Sequence, residues 1–154
     1  VNLNAQNRVA VRPAHLFYES PRMLLMRETR NIPLPENVAG ALAGVMRELV
    51  KGPSTPTLGR LLPADTVIRG VYLLPEGTAI IDVGGPTLTA GWPTGSHQEL
   101  MAVFSVVQTA TENFREVQRV RILVNGTPAE TLGGHIALDR PLRPLAAVVD
   151  GPSR

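Results

Sequence analysis

The stretch "VRILVNGTPAETLGGH", from Val120 to His135, decides the fold of the last third of this chain. In its first half Val120, Ile122 and Val124 alternate with Arg121 and Leu123, a period typical of a β-strand. Asn125-Gly126 follows, a pair that supplies the positive φ angles of a type I′ turn. Thr127 to Leu132 then runs back, and Pro128 places it at a sheet edge because proline cannot donate to the ladder. The stretch therefore predicts a hairpin.

The same stretch ends in Gly-Gly-His, which resembles a catalytic loop. A catalytic or metal-binding histidine needs a nucleophile, an orienting group or further ligands. His15 and His97 lie far from His135 in the sequence, and there is no H-x-x-x-H pattern. We therefore expect the two glycines to turn the chain out of the sheet and to leave His135 on the surface. No catalytic residue, metal ligand or cofactor is predicted.

Two helices and four further strands precede this hairpin. Glu36 to Lys51 has apolar residues at helical spacing, and so does the segment from Ser96 to Phe114. The pattern Ser96-His97-Gln98-Glu99 predicts a capping box, in which Ser96 and Glu99 bond free backbone N–H groups. The predicted strands are His15–Glu19, Met23–Arg30, Val67–Leu74 and Thr78–Val83, with "NIPLP" breaking the sheet after the second.

These elements predict the order ββαββαββ. One domain is expected over residues 14–142, between a linker at 1–13 and a poorly ordered tail at 143–154. The polar start of the chain, Val1 onward, reads as a linker whose upstream membrane anchor is missing.

Composition limits the classes of function. With 154 residues, 44% hydrophobic and 4% aromatic, the chain can form one domain with an aliphatic core. It has no Cys, which excludes disulfides, Cys-ligated zinc and a thiol nucleophile. The net charge is only +2, and its many Arg residues are scattered, so nucleic acid is not a predicted partner. No apolar run approaches the roughly 18 residues of a membrane helix.

Several segments together resemble the GerMN domain of sporulation and spore-germination lipoproteins. They are "ALAGVMRELVKGPS", "GTAIIDV", "GSHQELMAVFSVVQTATENFREVQRVRILVNGTPAETLGGH" and "DRPL", within His15 to Leu142. The resemblance implies an extracytoplasmic, membrane-anchored module that is not an enzyme. It also implies an α+β fold similar to the ring-building motif, with two helices packed on one face of a mixed or antiparallel sheet. Modules of this kind assemble in secretion systems and in the channel of sporulating cells.

This chain departs from the family pattern in two ways. It has room for one such domain where the namesake protein carries two in tandem. Its loop "GGPTLTAGWPTG" is also richer in Gly and Pro than the family pattern suggests. A specific role in sporulation is therefore less firmly implied than the domain itself.

Each of the remaining candidate site residues has two possible interpretations. Asp82 is either a catalytic acid or, as we favour, a carboxylate that caps a loop or the second helix. Trp92 is either an interface anchor or a lid on the core. Arg115, Arg119 and Arg121 form either a solvated strand edge or a contact patch for a protein.

The sequence thus favours a non-enzymatic cell-envelope module that works by self-association or by contact with another protein. The alternative is a domain that binds or hydrolyses cell-wall material near Asp82 and the loop Gly84–Gly95.

Overall fold

Two sheets and three helices make up the part of the chain that the structure describes. This computed structural model describes residues 8–92 and 95–151. The strands are β1 (Val9–Glu19), β2 (Leu25–Pro35), β3 (Val67–Leu73), β4 (Thr78–Gly84), β5 (Arg119–Val124) and β6 (Thr127–Pro128). The helices are α1 (Val38–Val50), α2 (Pro86–Thr89) and α3 (Ser96–Asn113). The predicted α+β class is confirmed.

The strands do not form the single sheet that the sequence predicted. β1 and β2 form an antiparallel pair of their own, whereas the other four strands form a sheet of order β3-β4-β5-β6. Its central pair, β4 and β5, is parallel, and the outer pairs are antiparallel. Helix α1 contacts strands of both sheets, and α3 contacts β1 and β5. The helices therefore join two sheets, and α2 adds a helix to the predicted order.

The first hairpin is longer than the sequence predicted, and "NIPLP" belongs to β2. Pro13, Pro33 and Pro35 all lie at odd positions of a register in which odd pairs with odd. Antiparallel pairs alternate between hydrogen-bonded and non-hydrogen-bonded. The N–H of Glu36 donates to the carbonyl of Arg8 at 3.0 Å, so the even pairs carry the bonds. Each proline ring therefore replaces an N–H that would point away from the partner strand.

The predicted limits of the domain also change. β1 begins at Val9, inside the segment assigned to a linker, and residues 1–7 lie outside the described part. Beyond Leu142, the chain forms a 3₁₀ turn at Ala146–Val148 and buries Val148. The N–H of Asp150 then donates to the carbonyl of Leu25 at 2.7 Å. The expectation of a poorly ordered tail is wrong for residues 143–151, and 152–154 lie outside the described part.

Helix α1 confirms the predicted amphipathic pattern with shorter limits. Asn37 is its N-cap, and the Asn37 Oδ1 accepts a hydrogen bond from the N–H of Gly40 at 2.7 Å. Glu36 therefore lies outside the helix and does not act on its dipole. The chain turns away at Gly52, whose φ of 91° suits glycine. The face of α1 toward the core comprises Ala41, Leu42, Val45, Met46, Leu49 and Val50.

The core is aliphatic, as the composition indicated, and α3 runs through it. Ten of the 18 residues of α3 are buried, including Met101, Val103 and Val107. In the described ranges, no helix is both long and apolar enough to cross a membrane.

Candidate functional site

The loop Gly133–His135 is held by a buried carboxylate that the sequence assigned to another role. Glu99, in the first turn of α3, is fully buried. Its carboxylate accepts the N–H of His135 at 3.1 Å and the N–H of Ile136 at 2.7 Å. The Nδ1 of His135 lies 3.0 Å from the Glu99 Oε1. Glu99 therefore fixes both the backbone of this loop and the orientation of the imidazole.

The environment of Glu99 favours its charged form. Burial raises the pKa of Glu99, but the N–H groups of Ile136 and His135 and the imidazole outweigh burial and hold that pKa below its ordinary value. His135 itself has 47% of its side chain exposed. A histidine oriented by a carboxylate is half of a catalytic arrangement, and a nucleophile would have to complete it. The described residues contain no group of three or more His, Cys, Asp or Glu placed to hold a metal ion.

The predicted capping box at Ser96 and Glu99 is wrong. Gly95 is the N-cap of α3, and Ser96 is already the first helical residue. The sequence did carry a signal for the true role of Glu99. This residue falls on the apolar stripe of α3, three and four positions before Ala102 and Val103, where a carboxylate must find buried donors.

Asp82 caps a turn through a hydrogen bond, as the favoured interpretation predicted. Its Oδ1 accepts the N–H of Gly126 at 2.8 Å, and its Oδ2 lies 3.3 Å from the Nε of Arg69. Asn125 and Gly126 have φ angles of 52° and 79° between β5 and β6, which agrees with the predicted type I′ turn. The returning strand is only Thr127–Pro128, shorter than predicted. The loop that Asp82 caps is thus the hairpin turn.

Glu28 is the third buried carboxylate in the described part of the chain. It accepts the N–H of Ser54 at 3.0 Å and that of Thr55 at 2.8 Å, and Arg30 approaches to 2.5 Å. Burial raises the pKa of Glu28, but these donors lower it by more than burial raises it. The resulting pKa is about 2. Arg30 also binds Glu48 of α1 at 3.0 Å. This cluster ties β2 to the end of α1 and to the loop that follows it.

The residues predicted to contact a partner flank the two ends of α3. Trp92 precedes the helix and packs, partly buried, against the core. Arg115 and Arg119 follow the other end of this 18-residue helix, which is about 27 Å long. Arg119 binds Glu76 at 2.7 Å with 20% of its side chain exposed, whereas Arg115 is exposed. Arg121 is half-buried, with an Nε that has no hydrogen-bond partner among the described residues.

A polar stripe on α3 seals the outer edge of β1. The N–H of His15 donates to Asn113 at 2.8 Å, and the N–H of Phe17 donates to Thr109 at 3.2 Å. The hydroxyl of Ser105 donates to the carbonyl of Phe17 at 2.6 Å. Ser105, Thr109 and Asn113 are four residues apart, so they lie on one helix face. Sequence reasoning followed only the apolar positions of this helix and missed the stripe.

A groove of about 650 Å³ lies between the first hairpin, α3 and residues 144–150. Phe17 and Met26 supply apolar surface to it, and Arg27 crosses it to form an ion pair with Glu112 of α3. Arg27 also lies over the ring of Phe17, with its guanidinium carbon 5.9 Å from the ring centroid. A groove with an apolar wall and a polar rim beside a strand suits a peptide or another protein surface.

Comparison with known proteins places this fold among sporulation domains. Residues 15–130 match the Germane family, described as "Sporulation and spore germination". The tandem GerMN domains of the sporulation protein GerM from Bacillus subtilis share 23% identity with this chain at a TM-score of 0.69. That match covers 86% of this chain and 46% of the tandem protein.

Two single-domain structures are also similar. The first GerMN domain of the same protein is 22% identical, with a TM-score of 0.66 over 93% of this chain and 98% of that one. A Clostridium perfringens protein described as a lipoprotein is 19% identical, with a TM-score of 0.62 over 87% of this chain and 88% of that one. No curated protein matches the chain.

Proposed function

The chain belongs to the Germane family of sporulation and spore germination domains, and on this premise we propose that it is a non-enzymatic module of the cell envelope. Its work is protein–protein contact, either with further copies of itself or with a membrane complex. Self-association is the form of contact that the resemblance to ring-building modules predicts.

The main support for this proposal is that the buried carboxylates bind backbone N–H groups of their own chain. Glu28, Asp82 and Glu99 are the buried acidic residues of the described part, and each accepts at least one backbone N–H. A general acid or base must be free to exchange a proton with substrate. Carboxylates that hold loops through charge-assisted hydrogen bonds bind those N–H groups more weakly when they are protonated, because the charge assistance is lost. Their arrangement therefore supports a structural role for all three.

Location in the envelope is supported by the relatives. The Clostridium perfringens structure is described as a lipoprotein, and the GerM structures come from a sporulation protein. A lipid anchor or a membrane helix upstream of this chain would hold the domain outside the cytoplasm.

Sedimentation velocity from low micromolar to near-millimolar concentration tests the contact function. We expect reversible association of the purified chain, or a strict monomer that crosslinks to one defined protein when it is expressed in a native envelope. A monomer that does neither would contradict the proposal.

Binding of muropeptides tests the alternative of a cell-wall ligand or hydrolase. Asp82→Asn keeps the size of the side chain and removes its charge, so it should change neither association nor any muropeptide signal. Saturable muropeptide binding or turnover that Asp82→Asn abolishes would replace the contact function with a cell-wall activity.

A further inference from the structure

The strand edges of the described residues differ in how they are protected. Unprotected edges invite pairing with other chains, and proteins commonly block them with prolines, bulges or covering elements. The edge of β1 is sealed by α3 and, at Glu19, by hydrogen bonds with Gly59. β3 has an irregular register at Arg69, and β6 is two residues long and contains Pro128. Each of these three edges is therefore protected.

The outer edge of β2 is the exception. In the register with β1, its odd residues point their N–H and carbonyl groups outward. At one end the carbonyl of Leu25 is bound by Asp150, and at the other Pro33 has no N–H to offer. Between them Arg27, Thr29 and Asn31 leave a regular, unbulged edge of five residues, for which no backbone partner is found in the described part.

We infer that this edge, residues 27–31 of β2, pairs antiparallel with the same edge of a second copy of the chain, about a two-fold axis at Thr29. The inference rests on the proposed contact function and names its surface. Such pairing would form about six hydrogen bonds between the copies, two for each of three outward pairs. It joins two hairpins into one four-stranded sheet.

Side-chain complementarity selects the second copy as the occupant. In a register centred on Thr29, the ion pair that Glu28 and Arg30 form within each chain lies beside its copy, with Glu28 opposite Arg30 and Arg30 opposite Glu28, so that opposite charges alternate across the two strands. Arg27 faces Asn31, and Thr29 faces Thr29. Opposite charges and paired threonines across strands are favourable. The segment is thus complementary to itself in this orientation.

The neighbouring two-fold registers are worse. Centres at Arg27, Glu28 or Arg30 place a charged residue opposite its own copy, which is destabilising. A centre at Asn31 places Pro33 opposite Thr29 and loses a donor in the ladder. In the Thr29 register, Pro33 of the second copy lies opposite Leu25, where residues 149–150 already occupy the edge of β2. Because Pro33 has no N–H, the second copy loses no hydrogen-bond donor when its strand diverges from the edge at this point.

Thr29→Pro is the decisive variant. Its ring would replace an N–H that points away from β1, as Pro33 and Pro35 already do in this strand, so the hairpin should still fold. Thr29→Val is the matched control, because it removes the hydroxyl that lies 2.9 Å from the His15 Nδ1 and keeps the N–H. We expect a dimer in the wild type and in Thr29→Val. In Thr29→Pro the dissociation constant should rise at least about tenfold.

A single cysteine gives an independent readout, because the natural chain has none. In the inferred dimer the two Thr29 Cα atoms form a hydrogen-bonded pair, about 5.5 Å apart, a spacing that a disulfide spans. Thr29→Cys should therefore give a crosslinked dimer under mild oxidation. Thr127→Cys, in the exposed strand β6, should not.

Two results would overturn the inference. One is wild-type protein that remains monomeric to near-millimolar concentration. The other is association that Thr29→Pro leaves unchanged, together with absent crosslinking of Thr29→Cys. In the second case the contact function stands and another surface carries it. In the first, the contact function survives only through capture of a defined envelope protein.

Discussion

The side-chain amide of Asn113 hydrogen-bonds both main-chain groups of His15. Its Oδ1 accepts from the His15 N–H at 2.8 Å, and its Nδ2 donates to the His15 carbonyl at 2.7 Å. A primary amide carries one acceptor and two donors, so it can stand in for a residue of a neighbouring strand. The two residues are 98 positions apart, and their contact fixes the end of α3 to the middle of β1.

Asn113→Ala should destabilise the fold by about 1–3 kcal/mol, because it removes the Oδ1 that accepts the His15 N–H and the Nδ2 that donates to the His15 carbonyl. Urea unfolding measures this change. Thr111→Ala is the control, since the Thr111 hydroxyl bonds only carbonyls of its own helix, and its effect should stay within about 0.5 kcal/mol. Equal effects of the two substitutions would show that the bonds to β1 contribute nothing.

Glu28 should make stability depend on acid pH. A carboxyl group whose pKa is lower in the folded than in the unfolded chain stabilises the fold above the unfolded pKa. That contribution is lost as the pH falls through the folded pKa. For Glu28 the ordinary pKa is 4.5 and the folded pKa is about 2, so the loss falls between these two values. The full contribution is of the order of 3 kcal/mol, at about 1.4 kcal/mol per pH unit.

Unfolding free energies measured from pH 7 to pH 2 test this dependence. Glu28→Gln keeps the shape of the side chain and cannot titrate, so its profile should be flatter than that of the wild type over the same interval. Parallel profiles would mean that other groups cause the acid sensitivity.

Glu99→Ala should release the loop that carries His135. Without the carboxylate, the N–H groups of His135 and Ile136 lose their acceptor, at a cost of about 3 kcal/mol for the two. Hydrogen exchange measures the effect at these two amides, which should exchange much faster in the variant. His135→Ala keeps both N–H bonds and should change their exchange little. Unchanged protection in Glu99→Ala would refute the anchoring role.

Gly85 and Gly91 have similar φ angles, so substitutions at these two positions compare backbone strain with and without a steric clash. Gly85 has a φ of 120°, and a Cβ there would lie 2.6 Å from the carbonyl oxygen of Asp65. Gly91 has a φ of 113°, and a Cβ there would meet nothing within 4 Å among the described residues. Gly91→Ala should therefore cost about 1–3 kcal/mol for its backbone angle alone. Gly85→Ala should cost clearly more, because a backbone atom has to move. Thermal unfolding of both variants makes the comparison, and equal losses would exclude the collision.

Local pattern predicted much of this fold. Strands β3 and β4, helices α1 and α3, and the type I′ turn at Asn125-Gly126 all follow from periodicity or turn chemistry that acts within a few residues. The role of Asp82 was also predictable, since a carboxylate at a strand end usually serves a nearby N–H.

The remainder depends on contacts between distant segments. Periodicity does not reveal which strands share a sheet, so two sheets were predicted as one. The prolines of β2 looked like breakers because their spacing matters only once the register with β1 is known. Glu99 and its loop are 36 residues apart, and nothing local joins them. The partners of Ser105, Thr109 and Asn113 were hidden for the same reason.

The sealing of β1 by α3 has a consequence for the size of any assembly built on the first hairpin. A sheet with two open edges can recruit neighbours on both sides and grow without limit into fibres. Here α3 occupies one side permanently, so growth through this sheet has a single direction. Two copies that pair through their open β2 edges would leave no free edge in the joined sheet. Helix α3 would therefore limit such an assembly to two copies.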